Sequence, residues 1–528
     1  MQKSLVHYHI DHAVRQGNLV FGHGWLFHES AETIQLQLRS GDFSIPLEFG
    51  NPRSDVVRAY PATPLAEPSG FLFYVRLPVS HAKLTSPVRL VAEFADGEQL
   101  DIPLAFPALT SKRWPLIYTV VRRLWVLLKQ GDFSAIREKS RRYLKSWALS
   151  SSDSRQLVKQ LQHKPCVIIV DHSLGGGTNL YRAQRIDCFH SQAREVLVVT
   201  YHPALLGYRI EHHARHQAVR HYQLDRLETI LALASGLSVE TILYNNAVSF
   251  PDAAALPAIL VALARLTSAR LELALHDYFL FCPSPHLLDA QGHFCDLPKE
   301  LALCQRCLAH STQSFVPIYG IHDIGSWRSQ WRELIVTASA IQVFSKGMAT
   351  LLAETFPDLN PAAVMYTPHS MAYFADAMPL QPPAAPLRIG VVGNITPIKG
   401  SAVVANLARV IQGSGRDDIE LIVIGTLHAS SKTTIRQTGA YRHQDLPEIL
   451  SREKINLVLF PSIGPETFSY VIQEMKILGL PIVAFNLGAQ AEYLRQYPKS
   501  LLLTLDISPE DLFIRIIEFH QKIYPNQA

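Results

Sequence analysis

The chain has 528 residues, 48% of them hydrophobic, and a formal net charge of +4. A chain of that length outgrows a single core, so two to four domains are expected. Six cysteines in so long a sequence exclude a disulfide scaffold, and the modest net charge excludes a generally basic nucleic-acid binder. No apolar run reaches bilayer-crossing length, and the N-terminal MQKSLVHYHIDHAVRQG lacks a continuous apolar h-region. A cytoplasmic location without a secretory signal is therefore expected.

Residues 1–108 read as a small β-sandwich. LVFGHGWLF, IQLQLRS, FLFYVRL and VRLVAEF are short, β-rich and separated by turn residues, with no helical pattern between them. Residues 109–160 form a linker of different character. Between 111 and 148 there are ten Lys/Arg against two Asp/Glu, a local balance of +8 that leaves about −4 for the rest of the chain. Trp114, Val121, Trp125 and Leu128 recur there at helical spacing. The pattern suits either a helix lying on an anionic membrane surface at the inner face of the membrane or a linker helix packed on a neighbouring domain.

From 161 to 380 and again from 381 to 528, continuous apolar runs alternate with helical stretches. CVIIV, EVLVVTY, ETILYN, RLELALH and AIQVFS form the first series; LRIGVVG, IELIVIG, INLVLFPS, PIVAF and SLLLTL form the second. Such runs suit parallel strands covered on both faces, and the pattern predicts two tandem Rossmann-like α/β domains. MPLQPPAAP at 378–386, with four prolines in nine residues, reads as a stiff hinge between them. Ligands in such sheets bind beyond the carboxyl ends of the strands, so two binding edges are expected to face one cleft.

Several residues at those edges carry chemistry. DHSLGGGTNLYR follows the strand CVIIV, and Gly175, Gly176 and Gly177 there suit a backbone that meets a ligand or phosphate closely, or a plain tight turn. His276 and Asp277 end RLELALH. In GPETFSYVIQEMKILGLPIVAF, Glu466 precedes a helix that begins near Phe468 and Ser469, and Glu474 lies inside it. Amides at a helix start suit a diphosphate, and carboxylates suit sugar hydroxyls. Alternatively the two glutamates are a dipole-stabilising residue and a surface residue. Cys282, Cys295, Cys304 and Cys307 fall within 26 residues and read as a candidate structural zinc site clamping the loop from 278 to 320, as buried thiols, or as two disulfides.

The E-x7-E spacing of Glu466 and Glu474, GLPIVAF, GAQAE (488–492), GNITPIKG (393–400), HDYFLFCPSPHLLD and the triple glycine, in this order, resemble the retaining GT-B glycosyltransferases of the family 4 type. The β domain ahead of the pair is similar to that of bacterial surface-polysaccharide enzymes. The resemblance implies transfer of a sugar from a nucleotide diphosphate donor, a UDP-sugar being favoured, to a glycan or lipid-linked acceptor with retention, in lipopolysaccharide-like polysaccharide synthesis, and catalysis without a metal. It places Glu474 on the ribose and Glu466 on the transferred sugar. Thr467, Phe468, Ser469 and Tyr470 fall at the distal phosphate, Lys399 on the diphosphate, and Gly393, Asn394 and Gly425 around the donor. His276 falls at the sugar, and the glycine loop with Asp277 on the acceptor side. Asn394 stands where the family often has an arginine. Arg442 and Lys346 are the candidates to replace that charge. A nucleotide-sugar epimerase and a noncatalytic glycan-binding scaffold share the fold and are the alternatives.

Overall fold

A computed structural model of the chain describes residues 5–78, 87–106, 154–224, 226–313, 315–321, 323–428 and 435–525. The basic segment at 111–148 lies outside the described residues, and with it the membrane-surface reading. Among the described residues no helix is long and apolar enough to cross a membrane.

Two four-stranded antiparallel sheets open the chain. One is ordered Val6–Gln16, Leu19–His28, Gly70–Arg76 and Phe49–Asn51, the other Phe43–Pro46, Thr33–Ser40, Arg89–Phe94 and Gln99–Pro103. Their inward residues share one core: Val20, Phe71 and Phe73 from the first sheet meet Leu36, Leu38 and Phe94 from the second. The first strand, VHYHIDHAVRQ, escapes the sequence reading. Its histidines dilute the apolar signal, and much of it is only half buried.

The next domain carries an eight-stranded sheet. Six strands are parallel, and an antiparallel hairpin, Gly207–His213 and Arg220–Leu224, extends one edge. Pro165–Val170 lies between Glu195–His202 and Ser238–Tyr244, so the winding direction reverses beside it. The last domain has a six-stranded, wholly parallel sheet in which Leu387–Ile395 lies between Ile419–Leu427 and Leu457–Phe460. Both are doubly wound sheets, and each reversal opens a crevice at the carboxyl ends of its strands. The architecture is the GT-B fold with N-terminal antiparallel sheets added.

The proline-rich connector is held down rather than loose. Asn456, fully buried, donates through Nδ2 to the carbonyls of Pro383 (2.9 Å), Ala384 (3.1 Å) and Pro386 (2.9 Å) and accepts from the Arg388 amide at 2.9 Å. The β-sandwich touches both α/β domains. Arg76 donates to Ile318 O (2.6 Å) and Pro251 O (2.9 Å) and His12 reaches Ala204 O (2.8 Å) on the first; Asn51 meets His428 at 3.1 Å on the second.

Asn456→Ala leaves three connector carbonyls and one amide without this partner. Urea unfolding should show a loss of about 2–4 kcal/mol; a change below about 0.5 kcal/mol would mean that the connector is held by other contacts.

Candidate functional site: the interlobe cleft

The two reversal points face each other across one cavity of about 580 Å³. From the first α/β domain it is lined by Gly176, Gly177, His276, Asp277 and His286. From the second come Gly393, Asn394, Lys399, Gly425, Glu466 and the run Thr467–Tyr470. The expected residues therefore converge, with two exceptions: Gly175 and Glu474 are not part of the wall.

The wall from the second α/β domain follows from local sequence. Ser469 caps the helix Tyr470–Ile477, its hydroxyl accepting from the Ile472 amide at 3.4 Å, so the helix start opens at the cavity. The Glu466 loop is fixed by Gln490, which is fully buried: its Oε1 accepts from Glu466 N (2.8 Å) and its Nε2 donates to Gly464 O (3.0 Å). Gln490 belongs to GAQAE, which the sequence reading used only as a family mark. Burial pushes the Glu466 carboxyl up, while the Lys399 ammonium and the Ser469 hydroxyl pull it down. At Gly425 the backbone has φ +136°, and a Cβ would stand 2.1 Å from Gly393 O, so only glycine lets these neighbouring strand ends come together under the cavity.

On the opposite wall, Asn245 sets the state of His276. Asn245 Nδ2 donates to Thr178 O at 3.3 Å, which turns Oδ1 toward His276 Nε2 at 2.9 Å. Oδ1 only accepts, so Nε2 carries the imidazole proton and Nδ1 keeps its lone pair. Burial holds the ring well below its ordinary pKa, hence neutral. Asp277 is held by the Phe279 amide (2.9 Å) and Asn246 Nδ2 (2.8 Å), and burial pushes its carboxyl up to about 6. Beneath the glycine loop, Arg182 reaches buried Asp171 at 2.9 Å; burial nevertheless pushes Asp171 up to about 7. Neither asparagine nor this ion pair was singled out from sequence, because single polar residues after a strand carry no spacing signal.

The glycine loop, which lines the cavity, also serves the contact between the lobes. A Cβ on Gly177 would lie 2.9 Å from the Tyr470 ring, so its small size admits a side chain of the other lobe. Tyr470 also hydrogen-bonds His369, which stacks on Phe468 with centroids 4.5 Å apart and meets His276 at 5.2 Å. Two further bonds tie the lobes: Thr467 Oγ1 to His276 O at 2.8 Å, and Tyr493 to Phe344 O. Glu492 accepts from the amides of Lys346 (2.9 Å) and Gly347 (3.0 Å), capping a helix of the opposite domain.

Three expectations are corrected. Glu474 is fully buried behind the wall, its Oε1 accepting from Tyr373 (2.7 Å) and His443 (2.7 Å). Arg442 is exposed and paired with Asp445 at 2.8 Å, and Lys346 lies away from the cavity; neither replaces the arginine absent at Asn394, whose own Oδ1 accepts from Thr426 at 2.7 Å. The four cysteines do not fit a zinc cage: no three of their sulfurs lie within 4.8 Å of one another. All are free thiols, and burial pushes Cys282 up to about 12 and Cys295 up to about 11.

His28, Asp96 and Glu98 of the β-sandwich do gather within 4.8 Å. His28 Nδ1, however, accepts from the amides of Ser30 (3.1 Å) and Ala31 (2.9 Å). The neutral ring then carries its proton on Nε2, facing the carboxylates at 3.4 and 3.3 Å. A cation would need a lone pair on that nitrogen, so the group does not fit one; Nε2 stands near both acids without a hydrogen bond to either.

Residues 386–522 match the family model described as Glycosyl transferases group 1. Among curated proteins none matches the sequence. Solved structures similar in fold include Anabaena HepE in complex with UDP-glucose (14% identity, 68% of this chain and 90% of that one, TM-score 0.41). Others are sucrose-phosphate synthase from Thermosynechococcus elongatus (15%, 69% and 90%, TM-score 0.43) and the lipopolysaccharide outer core galactosyltransferase WaaB (11%, 68% and 91%, TM-score 0.42). The fold assignment itself rests on the two doubly wound sheets.

Glu492→Ala should leave the amides of Lys346 and Gly347 without this acceptor, with Ser345 still capping the helix Lys346–Thr355, at a cost of about 1 kcal/mol, and should loosen the lobes. Small-angle scattering should register a larger radius of gyration than wild type; an unchanged curve would show that the aromatic contacts and the remaining hydrogen bonds hold the lobes together without Glu492.

Proposed function

We propose that the chain is a glycosyltransferase that moves a sugar from a nucleoside diphosphate to a glycan acceptor with retention at the anomeric carbon. The observation that carries this reading is the pairing of two sheet reversal points around one cavity. One wall joins a helix N-terminus to Lys399 and Glu466; the other presents a neutral His276. The match of residues 386–522 to glycosyl transferases group 1 supports the donor half, and the order of motifs shared with retaining enzymes supports the stereochemistry.

In this reading the first-turn amides of the helix Tyr470–Ile477 and the Lys399 ammonium hold the diphosphate and take up the charge that develops as it leaves. The Glu466 carboxylate accepts from hydroxyls of the transferred sugar, while His276 accepts through Nδ1. The acceptor oxygen bonds to the anomeric carbon as the bond from that carbon to the phosphate oxygen breaks on the same face. The acceptor proton passes to the departing phosphate, so no side chain need form a covalent intermediate. Most of the acceleration then comes from positioning and fixed charge. Glycans of the cell-surface polysaccharide class, including lipid-linked ones, are the acceptors this reading favours.

A thermal-shift screen with UDP, GDP, ADP, CMP and dTDP tests the donor site. The cognate nucleotide at 100 times its dissociation constant should add about 2.7 kcal/mol of stability. Lys399→Ala should lower turnover by about 10²–10³-fold while leaving the unfolding midpoint near wild type. Stabilisation by none of the five nucleotides would overturn the reading.

A further inference from the structure

The sealed position of Glu474 leaves the donor cavity with a different polar group at that point of its wall. His443 follows the strand Arg436–Gln437 and opens a short 3₁₀ turn. It lines the cavity beside Ala440 and Tyr441, and about half of its side chain is exposed. Its Nδ1 lies 2.7 Å from Glu474 Oε1. A carboxylate only accepts, so Nδ1 carries a proton and the opposite edge of the ring, with Nε2, is left for the cavity. Glu474 cannot itself meet a ligand without moving His443, because its side chain is fully buried. Its second oxygen, Oε2, has no hydrogen-bond partner.

Charge makes the arrangement informative. A nucleoside diphosphate ester brings about two negative charges, and among the described residues Lys399 is the one lysine or arginine lining the cavity. Asn394 is neutral, and Arg442 is turned to Asp445. We propose that His443, as an imidazolium backed by Glu474, is a nucleotide-contacting residue of the cavity wall, and that Glu474 is a positioning residue which fixes the ring and its charge without touching the ligand. The pair is neutral overall, but its cationic end faces the cavity and its anionic end is sealed. This rests on the donor-site reading above and adds to it the residue that grips the nucleotide on the Tyr441 side.

The groups facing His443 support the assignment. From the helix Tyr470–Ile477 comes Glu474. From the turn Ala372–Phe374 comes Tyr373, whose ring meets His443 at 5.5 Å and whose hydroxyl donates to the same Glu474 oxygen. On its own segment are Tyr441, at 6.3 Å, and the mutually paired Arg442 and Asp445. The hydrogen bond to Glu474 raises the imidazole above its ordinary pKa, outweighing burial. The sign follows: the cation is fully present below the ordinary value near 6.5 and disappears as pH rises through the raised one. Nucleotide affinity should fall across that same window.

Calorimetric titration of the full-length protein with UDP from pH 6 to 9 tests this, with GDP, ADP, CMP and dTDP as the other arms. His443→Asn keeps an N–H where Nδ1 stands but removes the ring's second nitrogen and its charge. At pH 6.5 it should weaken binding of the cognate nucleotide at least about tenfold and abolish the fall in affinity with pH. What remains is the nucleotide's own terminal phosphate ionisation near about pH 6, which acts in the opposite direction. Glu474→Gln should retain binding at low pH but shift the fall in affinity to lower pH, a change that a purely structural role would not produce. Wild type that binds a nucleotide while His443→Asn binds it equally well, with the same pH profile, would overturn this inference alone. Wild type that binds none of the five would overturn the donor-site reading together with it.

Discussion

The carboxyl edges of two parallel sheets make one site only because side chains from each lobe fill the gap between them. The centre of that contact is a run of rings, Tyr181, His276 and His369 from one side and Phe468 and Tyr470 from the other, with neighbouring centroids about 4.5 to 5.2 Å apart. Rings of this kind combine a large apolar area with specific mutual geometry. Here they also hold the histidines neutral: burial takes His369 down to about 3. The catalytic reading of His276 as an acceptor depends on that dryness, since a protonated ring would have no lone pair to offer.

Polar residues of the cleft are arranged in layers behind this contact. Asn245 decides which nitrogen of His276 holds the proton. Gln490 decides where the Glu466 backbone stands, and Glu474 decides what His443 can present. In each case an uncharged or sealed group acts on one that reaches the cavity, so geometry is set before any ligand arrives. Such preorganisation is what fixed-charge stabilisation of a leaving diphosphate requires.

Much of this was legible in the sequence. The ten apolar runs of the α/β domains became strands, because burial on both faces demands continuous apolar residues. A helix start near Phe468 and Ser469 was expected from the apolar face that follows, and Ser469 is the residue that caps it. The spacing of Glu466 and Glu474 marked the right segment but not the right direction. Glu474 lies inside a short helix and, unlike Glu466, faces Tyr373 and His443 from segments distant in sequence, which no local pattern reveals. The triple glycine was read as room for a ligand or as a plain tight turn; Gly176 and Gly177 line the cavity, and Gly177 also makes room for Tyr470. A sequence shows that a position must be small but not what approaches it. The cysteines illustrate the same limit: closeness along the chain did not bring three sulfurs together.

The β-sandwich acquires a mechanical meaning from its contacts. Arg76 and His12 fasten it to the first lobe, while Asn51 reaches across to His428 on the second, three residues beyond Gly425 at the cavity wall. An outward swing of the second lobe away from the first has to stretch or break the Asn51–His428 link. The accessory domain thus bridges the two lobes, and a separation of those lobes is resisted from a module more than three hundred residues upstream in the chain.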